Sequence, residues 1–453
     1  MGIPLRDVFV TVVVFYSLPF ILRRPEIGIL MWAWLGYMNP HKLSWQFAHD
    51  FPFAQIVALT TMFSLLISRE PKRIPWTRET ILLIIFNIWM FITTLFAMYP
   101  ELAWGQWNKV WKIQLMTFVS MMIMTNRWRI QTWVWVIALS LGFYGFKGGV
   151  FTVLTGGAYA VYGPEGTFIG GNNEIGLALI MTVPLLRYCQ LTTDHFWAKR
   201  LLLIGMILCV IAIVGTQSRG AFLGVAVMLM FLLRNSRHKW TLLIVMGLAL
   251  PVIYTFMPES WHERMSTIKT YQQDGSAMGR INAWWMAFNL AKDRILGGGF
   301  ECFRAPTFAM YAPDPRDVHD AHSIYFEVLG EQGFIGLALF LAIGYSAWRS
   351  CKWIMRQTKN WEDLRWVHDL GAMLQVSLVG YAVSGAFLGM AYFDLYYNLI
   401  ALIVLAKEIA GKALKEQEAA TEKKPPAALS FVVRPVRSGA ARTTGPTSSG
   451  SRS

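Results

Sequence analysis

Apolar runs separated by short polar breaks repeat along most of this 453-residue chain. Runs of roughly 17 to 25 apolar residues are long enough to cross a bilayer as helices. Candidate spans lie near 7–22, 25–38, 53–68, 79–97, 107–124, 130–155, 173–192, 200–216, 219–234, 240–257, 323–348, 368–392 and 394–408. Two short neighbours can form one broken element, so the pattern predicts an all-α polytopic membrane protein with about 12 transmembrane helices.

Composition agrees, with 55% hydrophobic and only 15% charged residues and no stretch suited to a large soluble domain. A net charge of +14 would suit nucleic acid if it lay along one face, but the basic residues sit in short clusters between apolar runs. No nucleic-acid partner is therefore expected. The clusters are "RR" at 23, "REPKR" at 69, "NRWR" at 126, "AKR" at 198, "RNSRHK" at 234, "WRSCKW" at 348 and "AKEIAGK" at 406. Their alternation with sparsely charged loops marks the cytoplasmic ends. Loops at 39–52, 98–106, 156–172, 216–218 and 258–322 then face the other side, which in a bacterium is the periplasm.

Counting back along the same alternation leaves the N-terminus outside. The first run, "DVFVTVVVFYSLPFIL", meets "RRP" without a small-residue cleavage site and is expected to stay as the first span. Residues 1–410 form the expected transmembrane catalytic domain, with 258–322 as its long periplasmic loop. Residues 411–453, rich in Ala, Pro, Ser, Thr, Lys and Arg, are expected to form a disordered cytoplasmic tail. Cys189, Cys209, Cys302 and Cys351 are scattered and give neither a disulfide framework nor a metal spacing.

Within the long loop, "SAMGRINAWWMAFNLAKDRI" places Ile281, Trp284, Trp285 and Phe288 at helical spacing, with Arg280, Asn282 and Lys292 elsewhere around the turn. Ser276 is the expected N-cap and "GGG" at 297 the expected stop. This reads as an interfacial helix with its tryptophans at headgroup depth.

Four outward positions carry candidate chemistry. In "VGTQSRGAFLG" a single turn separates two apolar runs and Arg219 opens the second helix, whose positive end adds to the guanidinium. Such a site suits an anion, phosphate above all, which arginine holds bidentately. Arg280 can reach the level of a lipid-linked phosphate, and Lys147 in "GFYGFKGGV" is a third cation in apolar surroundings. Each also has a plain reading as a snorkelled cation or a headgroup contact.

In "VHDAHSIYFEVLGEQGFIG", residues 318–336, His322 falls in the first turn of a span, His319 lies just before it, and Asp320 stands where it can cap the helix. The positive end of a helix disfavours the imidazolium, which keeps the ring neutral and able to act as a general base. The plain alternative is a histidine that merely ends a helix at the headgroups. "HDAH" offers two ligands on one face, but no third follows at a recognisable spacing, so neither a metal nor another cofactor is expected. No G-x-S-x-G motif is present. Two cations and one base would serve transfer of a sugar from a lipid diphosphate, because that leaving group needs charge stabilisation rather than an acid.

The same residues carry a resemblance. His322, Ser323 and Gly333 in "HSIYFEVLGEQG" match a His, then Asn, Ser or Gln, then nine residues, then Gly; Arg219 and Leu223 in "RGAFL" match Arg-x-x-x-Leu. In these motifs and the position of the long loop, residues 130–400 resemble the bacterial O-antigen ligases, within the superfamily of O-antigen ligases, polymerases and O-oligosaccharyltransferases. The N-terminal "LRRPEIGILMWAWLGYMNPHKLSW" resembles the exosortase-associated O-glycosylation ligases of that superfamily. One departure is "FIGLAL" after Gly333, where ligases often carry Thr or Val three residues on. The resemblance implies a GT-C-like membrane fold and a metal-independent, inverting transfer at the periplasmic face of the inner membrane. The implied donor is an undecaprenyl-diphosphate-linked glycan, the acceptor lipid A-core, His322 the base, and Arg219, Arg280 and Lys147 the diphosphate contacts.

Two other classes remain open. A transporter needs ionisable groups near midplane, and Glu174, Arg187, Glu327, Glu331 and Asp394 are the residues it would use. A structural partner of a glycan-export complex would need none of the basic residues.

Overall fold

The computed structural model describes residues 4–235, 239–259, 261–262 and 275–422, and every regular element among them is helical. The helices are α1 (Leu5–Arg23), α2 (Pro25–Tyr37), α3 (Phe53–Ile67), α4 (Arg78–Leu95), α5 (Pro100–Ile123), α6 (Arg127–Leu154), α7 (Asn172–Thr192), α8 (Phe196–Gly215), α9 (Arg219–Asn235) and α10 (Lys239–Phe256). After the long loop begins come α11 (Gly275–Asp293), α12 (Ala305–Tyr311), α13 (Ile324–Thr358), α14 (Arg365–Ser384) and α15 (Asp394–Glu422). Positions 236–238 of the basic cluster, the loop positions 260 and 263–274, and the expected tail from 423 onward lie outside the described residues. The part of that expected tail up to Glu422 is helical, as the end of α15.

Seven of the described helices, α1, α4, α6, α7, α8, α13 and α14, are long and apolar enough to cross a membrane. Their outward-facing residues are large and apolar: Phe9, Tyr16, Leu139, Leu154, Leu201 and Tyr345 are all exposed, the reverse of a water-soluble bundle. The chain is a multi-pass membrane protein. On length and apolarity the described helices fall short of the expected count of about 12. The α2 helix has 13 residues and α3 has 15, while α5 carries Glu101, Lys109 and Lys112 along one side.

The centre of the bundle is α7, α14 and the stretch of α15 over 395–406, in which almost every residue is buried. The α7 helix packs against α6, α8, α9 and α14, and α13 packs against α4, α11 and α14. Contacts between loops pair those expected on the same side. Asp7 accepts from the backbone N–H of Trp45 and of Ala48, the Val161 N–H donates to Gly215 O, and the Met98 N–H donates to Gly298 O. At the opposite end Arg129 bridges Glu26 at 3.1 Å and Glu70 at 2.6 Å. The start of α1 therefore lies at the same end as the loop at 39–52.

The α13 helix is not continuous. Gly333 sits inside it at φ 67° and ψ −174°, which separates a short segment, 324–332, from the long remainder. A break frees backbone carbonyls, which are costly at membrane depth unless protein groups satisfy them. Here Gly330 O accepts from Gly298 N at 2.8 Å, Glu331 O from Gly299 N at 2.9 Å, and Gln332 O from Trp89 Nε1 at 2.8 Å. The "GGG" segment does more than stop α11, because it lies against this break so closely that a Cβ on Gly333 would collide with Ile295 O.

The positive φ and the close approach together make Gly333→Ala destabilising by about 1–3 kcal/mol or more. Gly205→Ala on α8, where a new Cβ meets nothing within 4 Å, is the control. The apparent melting temperature in detergent should fall clearly for the first and stay near wild type for the second.

Candidate functional site

At the end of the bundle where α7, α9 and α11 begin lies a cavity of about 160 Å³. One water needs about 10–15 Å³, so a polyatomic group has room. Asn172 and Asn173 open α7, Ser218, Arg219 and Gly220 open α9, and Ser276 and Arg280 come from the first turns of α11; Gln217 and Phe387 complete the wall. Among the described residues, none that lines it is acidic. Residues from the starts of three helices, with Arg219 and Arg280 among them, therefore line one space, and helix starts with guanidiniums make an environment for an anion.

Local chemistry fixes each wall. Ser218 caps α9, its Oγ accepting from Ala221 N at 3.2 Å, and Thr216 Oγ accepts from Ser218 N at 3.3 Å. Gln217 makes the tight turn at φ 54° and its amide donates to Gly157 O at 3.0 Å. Asn172 donates to Thr216 O at 3.0 Å, which ties the start of α7 to the end of α8. Arg219 is thus set at the first residue of a helix whose approach, over 216–218, has each backbone N–H hydrogen-bonded.

The α11 helix differs from the expected interfacial helix. It begins at Gly275, ahead of Ser276, and its buried face is Gly279, Asn282, Ala283, Met286, Ala287, Leu290 and Ala291 rather than the aromatic stripe. Small residues win because α11 packs closely on α13: a Cβ on Gly330 would stand 3.2 Å from that of Ala287. Trp284 instead stacks on Phe326 at 4.9 Å, and its Nε1 donates to Ala321 O at 2.8 Å, while Trp285 stays exposed. Asn282 donates to Asp314 O and Asp317 O, both at 2.8 Å. The helix that carries Arg280 thereby holds the segment that carries the histidines.

His319 lies over the Gly279 backbone, where a Cβ would collide with its ring, and its Nε2 is 2.7 Å from Asp317 Oδ1. His322 is not in the first turn of α13, which begins at Ile324 after an N-cap Ser323; it stands just before, half-buried, at φ 42°. For a non-glycine residue this left-handed backbone is strained, a state that persists where surrounding contacts over-determine it. Asp320 does not cap the helix either, since its Oδ1 accepts from Ala321 N at 2.8 Å.

Burial pushes the His322 imidazole below its ordinary value of about 6.5, and Arg280 and His319 act in the same direction. Asp320 and Glu174 pull the other way, Asp320 being stronger than Arg280. A neutral ring was expected from the helix terminus; burial is the larger cause.

Arg219 and Arg280 line one cavity, and His322 stands beside it within electrostatic reach of Arg280 and Glu174 without being one of its lining residues. Lys147 is apart, exposed on α6. The glycines around it explain why: Gly145, Gly148 and Gly149 form the face packed on Cys209, Ala212 and Leu208 of α8, which turns Lys147 away. Sequence reasoning passed over Asn172, Asn173, Gln217 and Ser218 as site residues and read Ser276 only as a cap, although "NNE" and "TQSR" put amides and hydroxyls at two helix starts. Of the groups a transporter would use, Glu174 sits in the first turn of α7, Glu327 Oε2 accepts from Ala391 N at 2.9 Å, and Glu331 Oε1 accepts from Glu301 N at 2.8 Å.

Residues 204–341 match the O-antigen ligase family, a range that includes Arg219, Arg280, His322 and Gly333. Residues 5–190 match a family of unknown function. Comparison with curated proteins finds no match.

The charges around His322 predict opposite shifts in its titration. Arg280→Gln removes a cation that disfavours imidazolium and should raise the midpoint; Asp320→Asn removes an anion that favours it and should lower the midpoint. Carbethoxylation of His322, followed against pH by mass spectrometry, measures both.

Proposed function

From the match of residues 204–341 to the O-antigen ligase family, we propose that the chain is a member of the O-antigen ligase superfamily and an O-antigen ligase. In this reading it moves a polysaccharide from undecaprenyl diphosphate to a sugar hydroxyl of lipid A-core, at the periplasmic face of the inner membrane. The observation that carries the reading is the cavity itself: Arg219, Arg280 and residues from the starts of three helices line one space, beside a half-buried histidine.

The chemistry balances with these groups alone. The acceptor oxygen forms a bond to the anomeric carbon while the bond from that carbon to the diphosphate oxygen breaks, which inverts the configuration. The electron pair leaves with the diphosphate, whose added charge Arg219, Arg280 and the helix ends stabilise. The hydroxyl proton passes to the neutral imidazole of His322. This sequence uses no metal, and Lys147 has no part in it. Two acidic groups that transport would require near midplane, Glu327 and Glu331, are engaged with backbone N–H groups, which favours the enzyme over the transporter.

Purified protein with a lipid-linked glycan donor provides the test. His322→Ala should lower transfer by about 10²–10⁴-fold while the variant still binds donor, and Arg219→Gln or Arg280→Gln should each weaken donor use by about 10²-fold or more. The rate should fall as pH drops through the lowered midpoint of His322, because imidazolium cannot accept the proton, and EDTA should leave it unchanged. Offering lipid A-core, a second lipid-linked glycan and a Ser/Thr peptide in parallel separates ligase, polymerase and protein O-oligosaccharyltransferase. Full transfer by His322→Ala would remove the assigned base.

A further inference from the structure

We propose that α4, which lies within the part of the chain matching the family of unknown function, clamps the break in α13 and so positions His322, with Trp89, Thr93 and Gln332 as positioning residues. The short segment 324–332 begins one residue after Ser323 and ends at Gly333. At 1.5 Å per residue it is a rod roughly 13 Å long, with His322 just beyond one end and the break at the other. Whatever fixes the break fixes the depth of the imidazole.

Three of the groups that fix it come from α4 or the residues after it. Trp89 Nε1 donates to Gln332 O at 2.8 Å, and Thr93 Oγ1 donates to Gln332 Oε1. Beyond α4, Met98 N donates to Gly298 O at 2.8 Å and so holds the glycine loop that satisfies Gly330 O and Glu331 O. Arg294 reaches back to Phe96 O at 2.9 Å, and a Cβ on Gly299 would collide with that of Ala97. Gln332 is fully buried and its amide nitrogen donates to the Tyr392 hydroxyl at 3.2 Å, so its side chain joins α4 to the start of α15. Such a cluster goes beyond backbone satisfaction, because a glycine loop alone covers two of the three freed carbonyls.

The activity arm of this inference rests on His322 as the base; the structural arm does not. Trp89→Phe and Thr93→Val each remove one donor, the second at nearly constant volume, and Thr93→Ser restores the hydroxyl. In full-length protein the two removals should lower kcat by about 10- to 100-fold, the effect of a displacement near 1 Å, with donor KM within about twofold because the arginine cavity is untouched. Thr93→Ser should return kcat to near wild type. Independently, the pH midpoint for carbethoxylation of His322 should move up toward the ordinary histidine value in both removals, as a released segment exposes the ring. An unchanged His322 midpoint in Trp89→Phe and Thr93→Val overturns the clamp, as does a midpoint shift with wild-type kcat while His322→Ala is inactive. If His322→Ala stays active, the proposed function fails and the midpoint alone decides the clamp.

Discussion

Backbone polar groups at membrane depth have no water to turn to, and this constraint shapes the functional end of the bundle. The α13 helix breaks at Gly333, and three consecutive carbonyls before the break find donors outside their own helix. Meeting that demand draws together the glycine loop at 297–299, the end of α4 and the closely packed α11. Arg280 and His322 stand on the elements so assembled. The nine-residue interval between Ser323 and Gly333 is then the length of one short helix, with the histidine at its start and the break at its end.

Electrostatics supply the second theme. Cations at the outward ends of membrane helices would be unusual, and Arg219 and Arg280 line one cavity at the starts of α9 and α11. Burial, reinforced by Arg280, disfavours the charged form of His322, so the same guanidinium that would hold an anionic leaving group also helps keep the base neutral. The two roles need the same arrangement, with the cations facing one cavity and the imidazole just outside its wall.

Much of this was legible in the sequence. Apolar runs announce the membrane fold, because burial in lipid leaves a direct compositional trace. Arg219 and Arg280 stand out as cations near helix starts, while His322, expected in the first turn of a span, lies just before it. Less visible was anything set by close packing. The aromatic spacing of α11 suggested a helix with its tryptophans at headgroup depth and said nothing of the face, including Gly279, Ala283 and Ala287, that is buried in the bundle. Lys147 looked like a site cation until the neighbouring glycines proved to be the packed face of α6. The left-handed backbone of His322 and the contribution of α4 through Trp89 and Thr93 depend on contacts distant along the chain, which no local pattern encodes.

The central claim is that the outward cavity holds the diphosphate of a lipid-linked sugar donor. An experimental structure of the full chain in a lipid nanodisc with a bound prenyl diphosphate tests it most directly. The account predicts phosphate oxygens at about 2.7–2.9 Å from the guanidiniums of Arg219 and Arg280, with the sugar-bearing end turned toward His322. Phosphates bound at the opposite end of the bundle, or held by other residues while these two arginines stay clear of them, would contradict it.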